Sequence, residues 1–245
     1  MNRFVFIAPM FNMSASLARM LHSIVGQSYS NWKIILIDDL SSDKEKSEQE
    51  KIIKNFKTLI NDSNDANEKI SVIWNTEKLW EVANVLNGIS KCDDDDIICR
   101  IDADDWLCDL DALIILNSAY NESQCDTLWT SHRWGFSDKS ISAAMPDSAD
   151  PYSFPWVSSH LKTFRKKLIN GVNDINFRGQ DGNYIKRAGD QALYLPILNL
   201  SAKRVFLPRT VYHYEIKDVP ETYQTQDAKF QRDEALFLRH RGFVS

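Results

Sequence analysis

Trp32-Lys33-Ile34-Ile35-Leu36-Ile37-Asp38-Asp39 is a short, nearly unbroken apolar run that stops at two carboxylates. Its β-branched residues favour an extended strand, and apolar side chains at successive positions demand burial on both faces of a sheet. The same pattern recurs downstream, where Ile97-Ile98-Cys99-Arg100-Ile101 runs into Asp102-Ala103-Asp104-Asp105. Two buried strands, each ending in acid, are the frame on which the rest of the chain is read.

Outward from them, strand and helix signals alternate. Phe4–Ala8 reads as a first strand, with Asn12 or Ser14 as the cap of a helix whose apolar face is Leu17, Met20, Leu21, Ile24 and Val25. Ile52, Ile53, Phe56, Leu59 and Ile60 mark a second helix, Asn61–Lys69 a polar loop, and Ile70–Trp74 a third strand. Leu79, Val82, Ala83, Leu86 and Ile89 line one face of a third helix. Such alternation predicts an α/β fold, a Rossmann-like, mostly parallel sheet with helices on both faces, in a single fused domain. Ligands of open parallel sheets bind at the carboxyl ends of the strands, which puts Asp38, Asp39, Asp102, Asp104 and Asp105 on one rim.

The second half is less regular. Ser137–Pro155 reads as a long loop, and Ser159–Asn170 as a helix carrying Lys162, Arg165, Lys166 and Lys167. Asp190–Leu200 is predicted as a helix that Pro196 kinks or ends early. Val205–Leu207 and Thr210–Glu215 read as strands, and Ala228–Arg239 as a closing helix.

With 245 residues, 43% of them hydrophobic, the chain has enough apolar side chains for one sizeable core. No apolar run approaches the length of a membrane span, and the five-residue run near the N-terminus is too short for a secretory signal. Cys92, Cys99, Cys108 and Cys125 form no C-x-x-C pair and lie at no zinc spacing from histidine, so inert thiols of a cytoplasmic protein are expected. The net charge of −5 excludes a wholly basic nucleic-acid binder. That charge is uneven: residues 1–159 carry −11 and residues 160–245 carry +6. An acidic front suits a metal site and a basic back suits an anionic ligand, the alternative being charges spread over solvated faces.

Asp102-Ala103-Asp104-Asp105 is the sharpest signal. Three carboxylates in four residues repel one another unless a cation or solvent intervenes, and an all-oxygen set favours a hard ion, Mg²⁺ or Mn²⁺. The competing reading makes Asp104 or Asp105 the cap of a helix beginning near Asp109. Only Gly26 precedes residue 88, so there is no G-x-G-x-x-G and no Walker loop. Nicotinamide dehydrogenases and P-loop kinases are thereby set aside, and a diphosphate would have to be held by metal and side chains. Asp38 and Asp39 suit a nucleoside base or ribose, with helix capping as the alternative. His213 is placed to reach a metal or diphosphate from a late strand, or else is a hydrogen-bonded core residue.

Phe4-Val5-Phe6-Ile7-Ala8-Pro9-Met10-Phe11-Asn12, the segment Gln27–Asp43, Ala83-Asn84 and Arg100–Leu107 together resemble family 2 glycosyltransferases, in order and in spacing. A looser likeness continues at His160–Arg165 and Gly189–Leu193. The resemblance implies the glycosyltransferase A fold and inverting, non-processive transfer of a sugar from a nucleotide diphosphate, a UDP-sugar first among donors. It places the donor on residues 1–110, and the acceptor and base on residues 111–245. Ala8, Pro9 and Phe11 would line the base pocket, Asp39 would contact the nucleoside, and Asp102 and Asp104 would serve ribose and metal, with Asp105 as competing ligand. Asp190 matches the catalytic base, although it also suits a helix cap.

Two departures stand out. Leu40 occupies a position where the family usually has glycine, and Gly189 one where an acidic residue is common. The processive signature Q-x-x-R-W is missing, since Thr130 stands three residues before Arg133-Trp134. The cations of the second half, Lys162 and Arg165 among them, suggest an anionic acceptor, either a surface glycan such as lipopolysaccharide core or a hydroxylated base in DNA. A silent sugar-nucleotide-binding partner is the non-enzymatic alternative.

Overall fold

The computed structural model describes residues 1–60, 68–135, 137, 139–215 and 226–245. Among these residues, eight strands form one sheet: β1 (Phe4–Met10), β2 (Trp32–Asp38), β3 (Ile70–Trp74), β4 (Ile97–Arg100), β5 (Trp106–Leu107), β6 (Thr127–Trp134), β7 (Lys162–Arg165) and β8 (Arg204–Tyr214). Their order is β3-β2-β1-β4-β7-β6-β8-β5. The first four are parallel, and β7 enters antiparallel beside β4, with Lys162 opposite Arg100. Among the described residues, six helices cover the sheet: α1 (Ser14–Val25), α2 (Asp43–Leu59), α3 (Trp80–Ile89), α4 (Ala112–Ser123), α5 (Gly189–Leu200) and α6 (Gln226–Arg241).

The pleat of β1 explains the layers. Phe4, Phe6, Ala8 and Met10 face one way, into a core closed by α1, α2 and α4, and Val5 and Ile7 face the other, under α3, α5 and α6. Each side chain alternates across the sheet, so a strand covered on both faces must be apolar throughout. The expected α/β architecture is therefore the one observed.

Helix α3 lies so close to the sheet that Gly88 has no room for a side chain. A Cβ there would come within 2.8 Å of Ile7 Cγ2 and 3.1 Å of Ile37 Cδ1. Gly88→Ala is expected to destabilise the fold by about 1–2 kcal/mol, the overpacking outweighing alanine's better helix propensity. A fall of about 2–6 °C in Tm by thermal denaturation would show it; an unchanged Tm would mean that α3 is not held this tightly.

Several expectations are corrected. Ser159–Asn170 is not a helix: Lys162–Arg165 is strand β7, followed by a 3-10 turn over Lys166–Gly171. Pairing with β4 and β6 outweighs the helical spacing of the charges. The two expected strands, Val205–Leu207 and Thr210–Glu215, merge into one, β8, which ends at Tyr214 and whose register against β6 slips so that Leu207 faces Thr130 and Thr210 faces Ser131. Pro208 falls in that slip, where no ladder N–H is required. Helix α5 runs four residues beyond Pro196, embedded by Ala192–Leu198, all of them buried. Strand β6 carries no clear periodic signal and is defined by its neighbours. The expected loop at Asn61–Lys69 lies largely outside the described residues, and Ser137–Pro155 contains neither helix nor extended strand among those described.

Leu40 adopts φ +66°. It therefore makes the left-handed turn that a glycine would make there, at a cost of about 1–2 kcal/mol.

Candidate active site

The carboxyl ends of β1, β2, β3 and β4, the start of β7 and the ends of β6 and β8 meet at one rim. Each chemical group reaches that rim from a different element.

Asp102–Asp105 turn directly after β4, closed by the Asp105 N–H donating to the Asp102 carbonyl at 3.1 Å. Asp105 is almost fully buried. Its Oδ2 accepts from Tyr212 Oη at 2.6 Å and its Oδ1 from the Glu215 N–H at 2.8 Å. Burial, then the neighbouring Asp102, pushes its carboxyl up to about 8 despite those donors. Asp102 is paired with Arg100 at 2.7 Å, and Arg100 Nη2 also donates to Glu81 Oε1 at 2.5 Å. Burial would raise Asp102, but the Arg100 charge outweighs it and holds the carboxyl below its ordinary range.

Asp190 occupies the first turn of α5, whose N-terminus points at the rim and favours negative charge. Its Oδ1 is ion-paired with Lys162 Nζ, and His160 Nε2 lies 4.0 Å from Oδ2. Burial works against the charged form, yet the charges of Lys162 and Arg100 keep Asp190 ionised, well below the usual carboxylate range. His160 is driven down to about 3 by burial and Lys162, so its imidazole is neutral near pH 7. The N-terminus of α5 is fixed from α6, where Glu234 accepts the backbone N–H groups of Lys186, Arg187 and Ala188 at 2.7–3.1 Å.

Two cavities open here. A cleft of about 330 Å³ is lined by Glu81, Arg100, Asp102, Asp104, Asp105, Arg187 and Glu215, among others. A slot of about 170 Å³ is lined by His132, Trp134, Ile141, Trp156 and Ser159. His160, Asp190 and Tyr214 line both, so the Asp190 carboxylate stands in the wall between an acidic cleft and an aromatic slot.

The donor set fits a divalent cation. Asp102, Asp105 and His160 each bring a ligand atom within 4.8 Å of the others, and Asp104 lines the same cleft. His160 Nδ1 is buried without a hydrogen-bond partner among the described residues. Carboxylates are ligands that both Mn²⁺ and Mg²⁺ favour, and the softer Mn²⁺ also accepts a neutral imidazole.

The other predicted residues fall elsewhere. Lys162 is not on an acceptor-facing helix; its strand register opposite Arg100 buries it to 1% exposure beneath Asp190. Arg165 sits at the opposite end of β7, across from Ile97, with Nε donating to the Cys125 carbonyl and its guanidinium over Tyr120. His213 stacks on Trp106 at 3.7 Å, while Tyr212 and Tyr214 pack on His160. Alternation along β8 thus sends His213 to the other face, and it lines neither cavity. Ala8 is wholly buried, which leaves its side chain in the core, and Pro9 and Phe11 lie outside both cavities, Phe11 beneath Lys78 Nζ at 3.2 Å. Asp38 accepts from the Ser41 N–H at 3.0 Å and, with the Gln49 amide nitrogen facing it, from Gln49 at 3.1 Å. Asp39 accepts from the Leu79 N–H at 2.7 Å and the Trp80 N–H at 3.1 Å, pinning the start of α3, while Ser42 caps α2.

Glu81, Arg100, His160 and Tyr212 were not singled out from sequence. Arg100 and His160 are the first residues of the segments Arg100–Leu107 and His160–Arg165 that carry the family resemblance, and that position is their signal in the sequence. Position 189 is glycine, and the Glu81 carboxylate fills the space its side chain would take.

The sequence profile of Glycosyl transferase family 2 matches residues 5–170, well over half of the chain. The chain belongs to glycosyl transferase family 2. Glycosyltransferase GlyA of Streptococcus pneumoniae serotype 4 is 24% identical over 237 residues, spanning 86% of this chain and 30% of GlyA. S. aureus TarS superposes with a TM-score of 0.64 at 17% identity over 87% of this chain and 37% of TarS. TarS 1–349 in complex with UDP-GlcNAc gives 0.63 at 13% identity over 91% and 61%, and mannosyltransferase PcManGT of Pyrobaculum calidifontis, in complex with GDP-Man and Mn²⁺, gives 0.59 at 13% over 90% and 58%. This chain therefore spans about a third of GlyA and of TarS. Among the described residues of this family 2 chain, no helix is long and apolar enough to cross a membrane.

Proposed function

We propose that the chain transfers a sugar, with inversion, from a nucleotide diphosphate to an acceptor hydroxyl, and that Asp190 is the base. The observation that carries this reading is the ionised Asp190 carboxylate in the wall shared by the cleft and the slot. The donor diphosphate occupies the cleft and the acceptor the slot. The acceptor oxygen attacks the anomeric carbon as the bond from that carbon to the diphosphate oxygen breaks, and the hydroxyl proton passes to Asp190. Attack from the side opposite the leaving group inverts the configuration.

Asp102 and Asp104, with Asp105 and His160 beside them, would hold Mn²⁺ or Mg²⁺, which when bound neutralises charge on the departing diphosphate. Arg187 brings a side-chain cation to the same cleft. A neighbour complexed with UDP-GlcNAc supports a UDP-sugar donor, and one complexed with GDP-Man and Mn²⁺ supports the metal.

The slot argues for an uncharged glycan hydroxyl rather than a polyanion. Among the described residues, its lining holds two tryptophans, two histidines and no lysine or arginine. Several other cations of the second half are engaged within the chain: Lys166 with Asp94, Arg178 with Asp174 and Arg209 with Asp109. The test is turnover of nucleotide sugars with Mn²⁺ on a panel of neutral sugars, anionic glycans and DNA carrying a hydroxylated base. Transfer to a neutral sugar, with a rate nearly flat in salt, supports the reading. Transfer to DNA alone, falling steeply with salt, overturns the acceptor assignment; nucleotide binding without transfer or hydrolysis overturns the enzyme.

A further inference from the structure

Helices α3 and α5 approach at the rim through an unusual pair. Glu81 is the second residue of α3, and Gly189 the first of α5. A Cβ built on Gly189 would lie 2.3 Å from Glu81 Oε2, 2.4 Å from its Cδ and 2.9 Å from Oε1. No heavy atoms tolerate such distances, so the glutamate takes its position only because residue 189 has no side chain. From there it accepts the 2.5 Å bond from Arg100 Nη2, and Arg100 Nη1 meets Asp102. Asp39 pins the turn into α3 immediately before Glu81. The carboxylate is thus anchored from behind, inserted into a glycine-made socket beside Asp190, and joined through one guanidinium to the acidic loop.

We infer that Glu81 is a positioning residue for sugar transfer, its carboxylate seated in the Gly189 socket to orient Arg100 and, through it, Asp102. This rests on the transfer reading above, and it adds that the location of the charge matters rather than the helix that supplies it. An aspartate at 189 projects its carboxylate into the volume Glu81 fills, because the Cβ vector already points there. The charge is therefore transferable from α3 to α5.

The test is a cycle of Glu81→Gln, Glu81→Ala, Gly189→Asp and the double Glu81→Ala/Gly189→Asp, read by steady-state kinetics and thermal denaturation. Glu81→Gln keeps the volume and loses the charge. It is expected to lower kcat about 10-fold or more with little change in Tm or donor KM, in the range usual for groups that orient a ligand-bearing residue. Gly189→Asp alone crowds two carboxylates into one socket and should lower both Tm and kcat. The double variant should recover at least about 10-fold in kcat over Glu81→Ala and melt above either of its parents. Full activity in Glu81→Gln, or a folded double variant no better than Glu81→Ala, overturns the inference. If the unaltered protein shows no turnover, the transfer reading fails instead, and the melting cycle still decides the socket: additive losses in the double variant refute it.

Discussion

Asp190→Asn lowers kcat about 1,000-fold while donor affinity changes by no more than a few-fold. The substitution preserves shape and removes a proton acceptor, and positioned general bases contribute about 10²–10⁴-fold. Loss confined to kcat identifies a group that acts in the transition state rather than in ground-state binding. The neighbourhood adds a complication that can be separated. Lys162 is buried beneath Asp190 and loses its counter-charge in the variant, which costs stability. The double variant Asp190→Asn/Lys162→Met removes the stranded ammonium and should regain Tm without regaining kcat. Steady-state kinetics, donor binding by calorimetry and thermal melts on the three proteins supply the comparison. Asp190→Asn retaining more than about a tenth of wild-type kcat would remove Asp190 from the role of base.

Asp104→Ala and Asp102→Ala should each abolish the metal-dependent part of nucleotide binding. In the unaltered protein, UDP at about 100 times its Kd with Mn²⁺ stabilises by about 2.7 kcal/mol, or about 5–10 °C in Tm, and chelation with EDTA erases the gain. In the two variants the same mixture should give no metal-dependent shift, and kcat/KM should fall at least about 100-fold, the equivalent of 2.7 kcal/mol of leaving-group stabilisation. Asp102→Ala carries a second effect, because Arg100 then leans on Glu81 alone. A shift that survives in both variants would place the cation, or the diphosphate, somewhere other than this rim.

Much of this was legible from sequence because it is local. The run Trp32–Asp39 specifies a doubly buried strand by its own composition, and the acid at its end follows from the rule that parallel strands present their carboxyl ends to ligand. The motif Asp102–Asp105 was found for the same reason: three charges in four residues are visible in one dimension, as is the lack of a glycine-rich phosphate loop. Leu40 shows where local reading falls short. The family usually has glycine there, yet with leucine in its place the backbone still takes the left-handed conformation, the surrounding hydrogen bonds outweighing one strained residue.

The sequence by itself determined the alternating strands and helices, the sheet covered on both faces, the acidic rim and Asp190 at the head of a helix, since each is set by periodicity or by neighbours within a few residues. Tertiary structure alone decided which side chains share the site. Antiparallel entry of β7 sent Lys162 under Asp190 and Arg165 to the far end, and pleating of β8 turned His213 away while bringing Tyr212 to Asp105. Glu81 met Gly189 across more than a hundred residues of chain. Such meetings depend on register and on the close approach of packed surfaces, and residues far apart in the chain carry no mark of them until the fold closes.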